Sequence, residues 1–255
     1  MMKKELFTIA FTLTIFAATA QQTTVTTTPD DKAAQQARQK REVEDLFYKD
    51  WASLNRYADA NSKVPPPKLN EKRVVFLGNS ITDFWINADS AFFAGKPYYD
   101  RGISGQTSPQ MLVRFREDVI NLKPSVVVIL AGINDIAENT GPSKLENVFG
   151  NIVSMAQLAK AAHIKVVLSS TLPSNYIPWR PYIIPTEKII QLNKMIKDYA
   201  VKNNIVYLDY YSAMVDADKG LPKPLSNDGV HPTLEGYKVM EPLAEKAIAE
   251  ALKRK

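Results

Sequence analysis

"SVVVILAG", residues 125–132, is the stretch on which the fold turns. Val126, Val127, Val128 and Ile129 are β-branched, and Leu130 and Ala131 extend the run without a polar position. A strand with one wet face would alternate; an unbroken apolar run predicts a strand covered on both faces, as in a parallel sheet. "IKVVLSST", residues 164–171, has the same character. Working outward, "RVVFLG" (73–78), "PYYDRG" (97–102) and "NIVYLD" (204–209) are further candidate strands. Helical patterns fall between and after them, over Ser108–Leu122, Lys144–Ala162, Pro185–Asn203 and Thr233–Arg254. Strand alternating with helix predicts an α/β fold, a parallel sheet with helices on both sides.

In such a sheet the loops after the strands gather at one edge, where ligands bind. The first strand is followed by Gly78-Asn79-Ser80 and the second by Gly102-Ile103-Ser104-Gly105. The third leads into Gly132-Ile133-Asn134-Asp135, and the fourth into a long loop with Tyr176, Trp179 and Arg180. Beyond the fifth comes Asp228-Gly229-Val230-His231. The residues able to do chemistry therefore fall at one end of the sheet. Of the two histidines, His163 lies at a helix-to-strand junction on the opposite edge, where a structural role is expected. His231 precedes Pro232, which favours an extended backbone and starts the last helix, leaving the imidazole free to project. Asp228, three residues earlier, can hold one ring nitrogen and leave the other for Ser80. Gly105 and Asn134 are placed to donate to a developing oxyanion. Taken singly, each of these residues is also an ordinary turn residue.

Four segments in order, "FLGNSIT" (76–82), "GISGQTS" (102–108), "AGINDI" (131–136) and "DGVHP" (228–232), resemble the four blocks of the SGNH, or GDSL-type, serine hydrolases. The resemblance runs from about Arg73 to the C-terminus. It implies a three-layer α/β/α sandwich, flavodoxin-like, with a five-stranded parallel sheet. It implies Ser80 as nucleophile, His231 as general base and Asp228 as the residue that orients it. The oxyanion hole would be the Ser80 and Gly105 amides and the Asn134 side chain. No metal or organic cofactor is needed for that chemistry. Asn79 stands where the family commonly has Asp, which removes a charge beside the nucleophile. Thr82 occupies the last position of a G-x-S-x-G elbow, which argues against an ordinary α/β-hydrolase.

The chain has 255 residues, 45% hydrophobic and 23% charged, enough for one domain with a sizeable core. Its net charge is +5, but Lys and Arg are scattered, so the charge reads as a solvated surface and not as a nucleic-acid patch. Cysteine is absent, which excludes disulfides, thiolate chemistry and a lipoprotein anchor. Residues 1–20 form a leader pattern: Lys3 and Lys4, an apolar run from Leu6 to Phe16, and the cleavage motif Ala18-Thr19-Ala20. That run is too short to span a bilayer. Export to the periplasm or beyond is expected, with no stable membrane anchor. Residues 21–71 read as a polar linker plus an accessory helix, Lys32–Asn61, whose stripe of Val43, Leu46, Phe47, Trp51, Leu54 and Tyr57 docks on the main domain. The hydrolase domain is 72–255.

Aromatic and basic residues near the serine, Phe84, Trp85, Tyr176, Trp179 and Arg180, are candidate substrate contacts. The expected substrate is a small-molecule or carbohydrate-linked ester with a short acyl group. Rival expectations are a lysophospholipase or thioesterase acting on longer chains, and a non-catalytic carbohydrate-binding module on the same fold.

Overall fold

A computed structural model describes residues 48–254 and, before them, helical positions 34, 35, 37, 38, 41 and 44. The expected leader, 1–20, and the Thr-rich stretch after it lie outside the described residues. The chain divides into two compact units after Glu44, and every feature below belongs to the unit that begins at Asp45.

Five strands form one sheet: β1 Val74–Gly78, β2 Tyr98–Gly102, β3 Val126–Ile129, β4 Lys165–Ser169 and β5 Val206–Leu208. All neighbours pair in parallel in the order β2-β1-β3-β4-β5. β1 and β3 are buried throughout, which is why their sequences show no alternation. Helices α1 Ser108–Asp118, α2 Leu145–Ala161 and α3 Thr186–Lys202 cover one face. α4, Leu234–Lys253, covers the other with the short helices Trp85–Ala88 and Tyr210–Met214. The result is the three-layer sandwich expected above. The chain runs from β1 outward to β2, then returns past β1 to β3. That reversal is the topological switch point, and it brings the loops after β1, β2 and β3 side by side.

Two of the long helices, α1 and α4, start at side-chain caps. Thr107 and Gln110 form a capping box at α1, with the Thr107 N–H donating to Gln110 Oε1 at 3.0 Å. The Thr233 hydroxyl accepts from the Gly236 N–H at the start of α4. On the α4 face, Phe76 of β1 meets Trp85, Phe92, Phe93 and Tyr98 edge-on, with centroids 5.5–5.9 Å apart. Such aromatic edges add to area burial, and truncating Phe76 to alanine would cost about 3–5 kcal/mol.

The accessory helix differs from its expected span. Helix stops at position 49, and residues 50–57 are turns before a short helix, Ala58–Ser62. Asp50 is the cause: its carboxylate accepts the N–H groups of Leu54 and Asn55 at 2.8 and 2.9 Å, an alternative to the helical ladder. Ser53 then takes a left-handed φ of 54°. The turn still docks. Gln106 and Gln110 donate to the Ala52 and Trp51 carbonyls at 2.8 and 2.7 Å, and the buried Tyr57 hydroxyl donates to the Gly102 carbonyl. Burial, then the nearby Asp100 and Asp83, push the Tyr57 hydroxyl well above its usual range, so it stays a proton donor.

Candidate active site

β1 ends at Gly78, and the chain turns at once into a short helix, Ser80–Asp83. A Cβ on Gly78 would come within 1.9 Å of Thr82 Oγ1, so only glycine lets the turn close this tightly. Asn79 Oδ1 accepts the Ile81 N–H at 3.0 Å and caps the helix. A neutral amide thus makes the cap that a carboxylate at this position could make, and the turn survives the Asn79 substitution of the family pattern.

Ser80 Oγ lies 2.8 Å from His231 Nε2. His231 Nδ1 lies 2.6 Å from Asp228 Oδ2. Asp228 Oδ1 also accepts the backbone N–H groups of Val230 and His231 at 2.9 and 2.8 Å. Burial alone would raise the Asp228 carboxyl. The hydrogen bonds from the His231 ring and from these amides outweigh it and hold the group below the usual carboxylate range. Ser226 fixes the turn further: its hydroxyl donates to the His231 carbonyl at 2.8 Å and accepts the Gly229 N–H at 3.0 Å. Hydroxyl, imidazole and carboxylate therefore stand in line, able to draw a proton from Ser80 Oγ.

The two candidate oxyanion residues come off the strands flanking β1. Gly105 has φ 78°, a left-handed turn that suits glycine. Ser104 beside it donates to Asp83 Oδ2 through its hydroxyl at 2.7 Å, which ties this loop to the Ser80 helix. Asn134 is 1% exposed, and its amide donates to the Gln106 carbonyl at 2.9 Å, spending one of two N–H bonds. Asp135 next to it accepts the Ser108 N–H and hydroxyl at 2.9 and 2.6 Å and so anchors the Asn134 turn to α1. Burial, opposed by those bonds, pushes its carboxyl up to about 6. Beneath the site Arg114 donates to the Gly78 and Arg101 carbonyls at 2.9 Å each, to Gln106 Oε1 at 2.5 Å and to Asp118 at 2.9 Å. One buried guanidinium thereby joins the ends of β1 and β2 to α1. Arg114, Asp83, Ser226 and Asp135 carry no sequence signal that separates them from ordinary surface or turn residues.

Of the five expected rim residues, Phe84 and Trp179 flank the His231 ring, with centroids 5.2 and 5.9 Å away. Trp179 Nε1 donates to Asn139 Oδ1 at 2.9 Å, and Asn139 Nδ2 donates to the Gly105 carbonyl at 3.1 Å. Arg180 reaches the same neighbourhood, its Nε donating to the Ala137 carbonyl at 3.2 Å. Tyr176 is exposed; its carbonyl, not its ring, lies beside Gly229. Trp85 is not on the rim. It is 2% exposed and stacks on Phe92 and Tyr237 at 4.9 and 5.3 Å, because its short helix turns residue 84 to the site and residue 85 under α4.

Residues 76–239 match the model of the GDSL-like lipase/acylhydrolase family. A solved structure of a candidate acylhydrolase from Bacteroides fragilis is 56% identical, with a TM-score of 0.79 over 80% of this chain and all of that one. An acetylxylan esterase from Geobacillus stearothermophilus is 27% identical over 149 residues, 55% of this chain and 67% of its own. The esterase TesA of Pseudomonas aeruginosa is 31% identical over 163 residues, 62% of this chain and 74% of its own. With its ordered blocks on adjacent loops of one parallel sheet and the family model spanning most of its length, the chain belongs to the GDSL-like lipase/acylhydrolase family.

Proposed function

We propose that this acylhydrolase is an exported serine esterase for short acyl esters, acetyl esters of carbohydrates above all. The 2.8 Å approach of Ser80 Oγ to His231 Nε2 carries the reading. His231 takes the Ser80 proton as Oγ bonds to the ester carbonyl carbon. The resulting oxyanion lies against the Ser80 and Gly105 amides and the Asn134 side chain. The tetrahedral adduct then collapses, the ester C–O bond breaks, and His231 returns the proton to the leaving alcohol. Water, deprotonated by His231, attacks the acyl-Ser80 ester in the same way and releases the acid. Asp228 keeps the imidazole in the tautomer that this requires.

Short acyl groups are supported by the likeness to an acetylxylan esterase and by Phe84 and Trp179 crowding the imidazole. Export is supported by the leader pattern of residues 1–20. Hydrolysis of nitrophenyl acetate and nitrophenyl palmitate by the full chain tests the acyl preference. Acetate is expected to be cleaved at least about a hundredfold more efficiently, several methylenes' worth of discrimination. A palmitate preference would replace this reading with the long-chain rival, and no hydrolysis of either would favour the binding module.

A further inference from the structure

A cleft of about 230 Å³ opens beside Gly105, lined among others by Ser53, Ser104, Asn139, Thr140 and Arg180. It is below the roughly 300–1,000 Å³ of drug-sized sites, so it suits one small ring or headgroup. Its walls are polar, and one of them, Ser53, comes from the turn that precedes the family-matched segment. Most of that polarity is already spent. Gln106 is engaged at both ends by Arg114 and the Ala52 carbonyl, and Gln110 by Thr107 and the Trp51 carbonyl. Asn139 is held by Trp179 and the Gly105 carbonyl, Thr140 by Thr107, and Ser104 by Asp83.

Arg180 is the exception. Nε makes the single hydrogen bond of its side chain, and among the described residues no carboxylate pairs with it. No acidic residue lines the cleft. A guanidinium fork with its two terminal nitrogens unspent faces this space, and the Asp83 carboxylate that holds Ser104 is itself engaged by the Ser104 hydroxyl at 2.7 Å and by Arg56 at 3.6 Å.

We infer that this cleft is a subsite for the alcohol component of the substrate and that Arg180 selects alcohols bearing an anionic group, a carboxylate or a phosphate, beside their hydroxyls. The position of the ester relative to the cleft rests on the proposed esterase chemistry; the anion selectivity does not.

Calorimetric titration of the full chain with galacturonic acid, galactose 6-phosphate and galactose tests it. At least one anionic sugar is expected to bind about tenfold more tightly than galactose, the worth of one charge-assisted pair. The advantage should shrink as NaCl is raised toward about 0.5 M. Arg180→Gln should abolish it, Arg180→Lys should keep part of it, and Lys194→Gln, on the outer face of α3, should leave it intact. Galactose binding as tightly as both anions, or an anion preference that persists in Arg180→Gln, would overturn the inference. Failure of the wild-type chain to cleave nitrophenyl acetate would count against the esterase reading and leave this binding comparison standing.

Discussion

His231 and His163 put the same imidazole at opposite edges of one sheet. The loop before α4 presents His231 between a hydroxyl and a carboxylate, both within 2.8 Å, with two aromatic rings beside it. His163 lies in a hollow of about 420 Å³, larger than the Arg180 cleft, with Lys160, Lys165, Asn203 and Arg254. Yet no hydrogen bond engages its ring among the described residues. Its backbone is what matters. With φ 60° it ends α2, as its N–H donates to the Lys160 carbonyl at 3.0 Å and the Ile164 N–H to the Ala159 carbonyl at 2.9 Å. That is the Schellman pattern, which normally takes glycine at this position. A hollow and a titratable group make no site by themselves; a site needs neighbours that engage the proton.

Three substitutions probe this contrast. His231→Ala should lower nitrophenyl acetate turnover on the order of 10⁵ to 10⁶-fold while the circular dichroism of the fold is retained. Asn134→Ala removes one oxyanion donor, and kcat should fall on the order of 10² to 10³-fold with KM little changed. His163→Gly should leave turnover within about twofold and raise thermal stability by about 1 kcal/mol, because glycine pays no penalty in the left-handed region. A loss of turnover in His163→Gly comparable with that in His231→Ala would erase the distinction between the two edges.

The same contrast explains what could be read before the structure. The strands were legible because a sheet covered on both faces leaves unbroken apolar runs, as at Val126–Ile129. Ser80, Gly105, Asn134, Asp228 and His231 were legible because each follows a strand end or precedes the last helix, where topology gathers loops. What escaped depends on side chains captured by distant backbone. Asp50 takes the Leu54 and Asn55 amides and ends a helix whose apolar stripe runs on through Tyr57. Trp85 and Phe84 are adjacent aromatics that periodicity cannot sort between core and rim. Asp100 is buried beneath the site with one oxygen unpartnered, and burial pushes its carboxyl up to about 7, which no local pattern announces.

Labelling by a fluorophosphonate followed by peptide mass mapping reads the proton relay from Ser80 through His231 without any substrate. One phosphonylated residue is expected, Ser80, modified quickly in the wild-type chain and at least about a thousandfold more slowly in His231→Ala. Labelling elsewhere, or at Ser80 with a rate indifferent to His231, would contradict it.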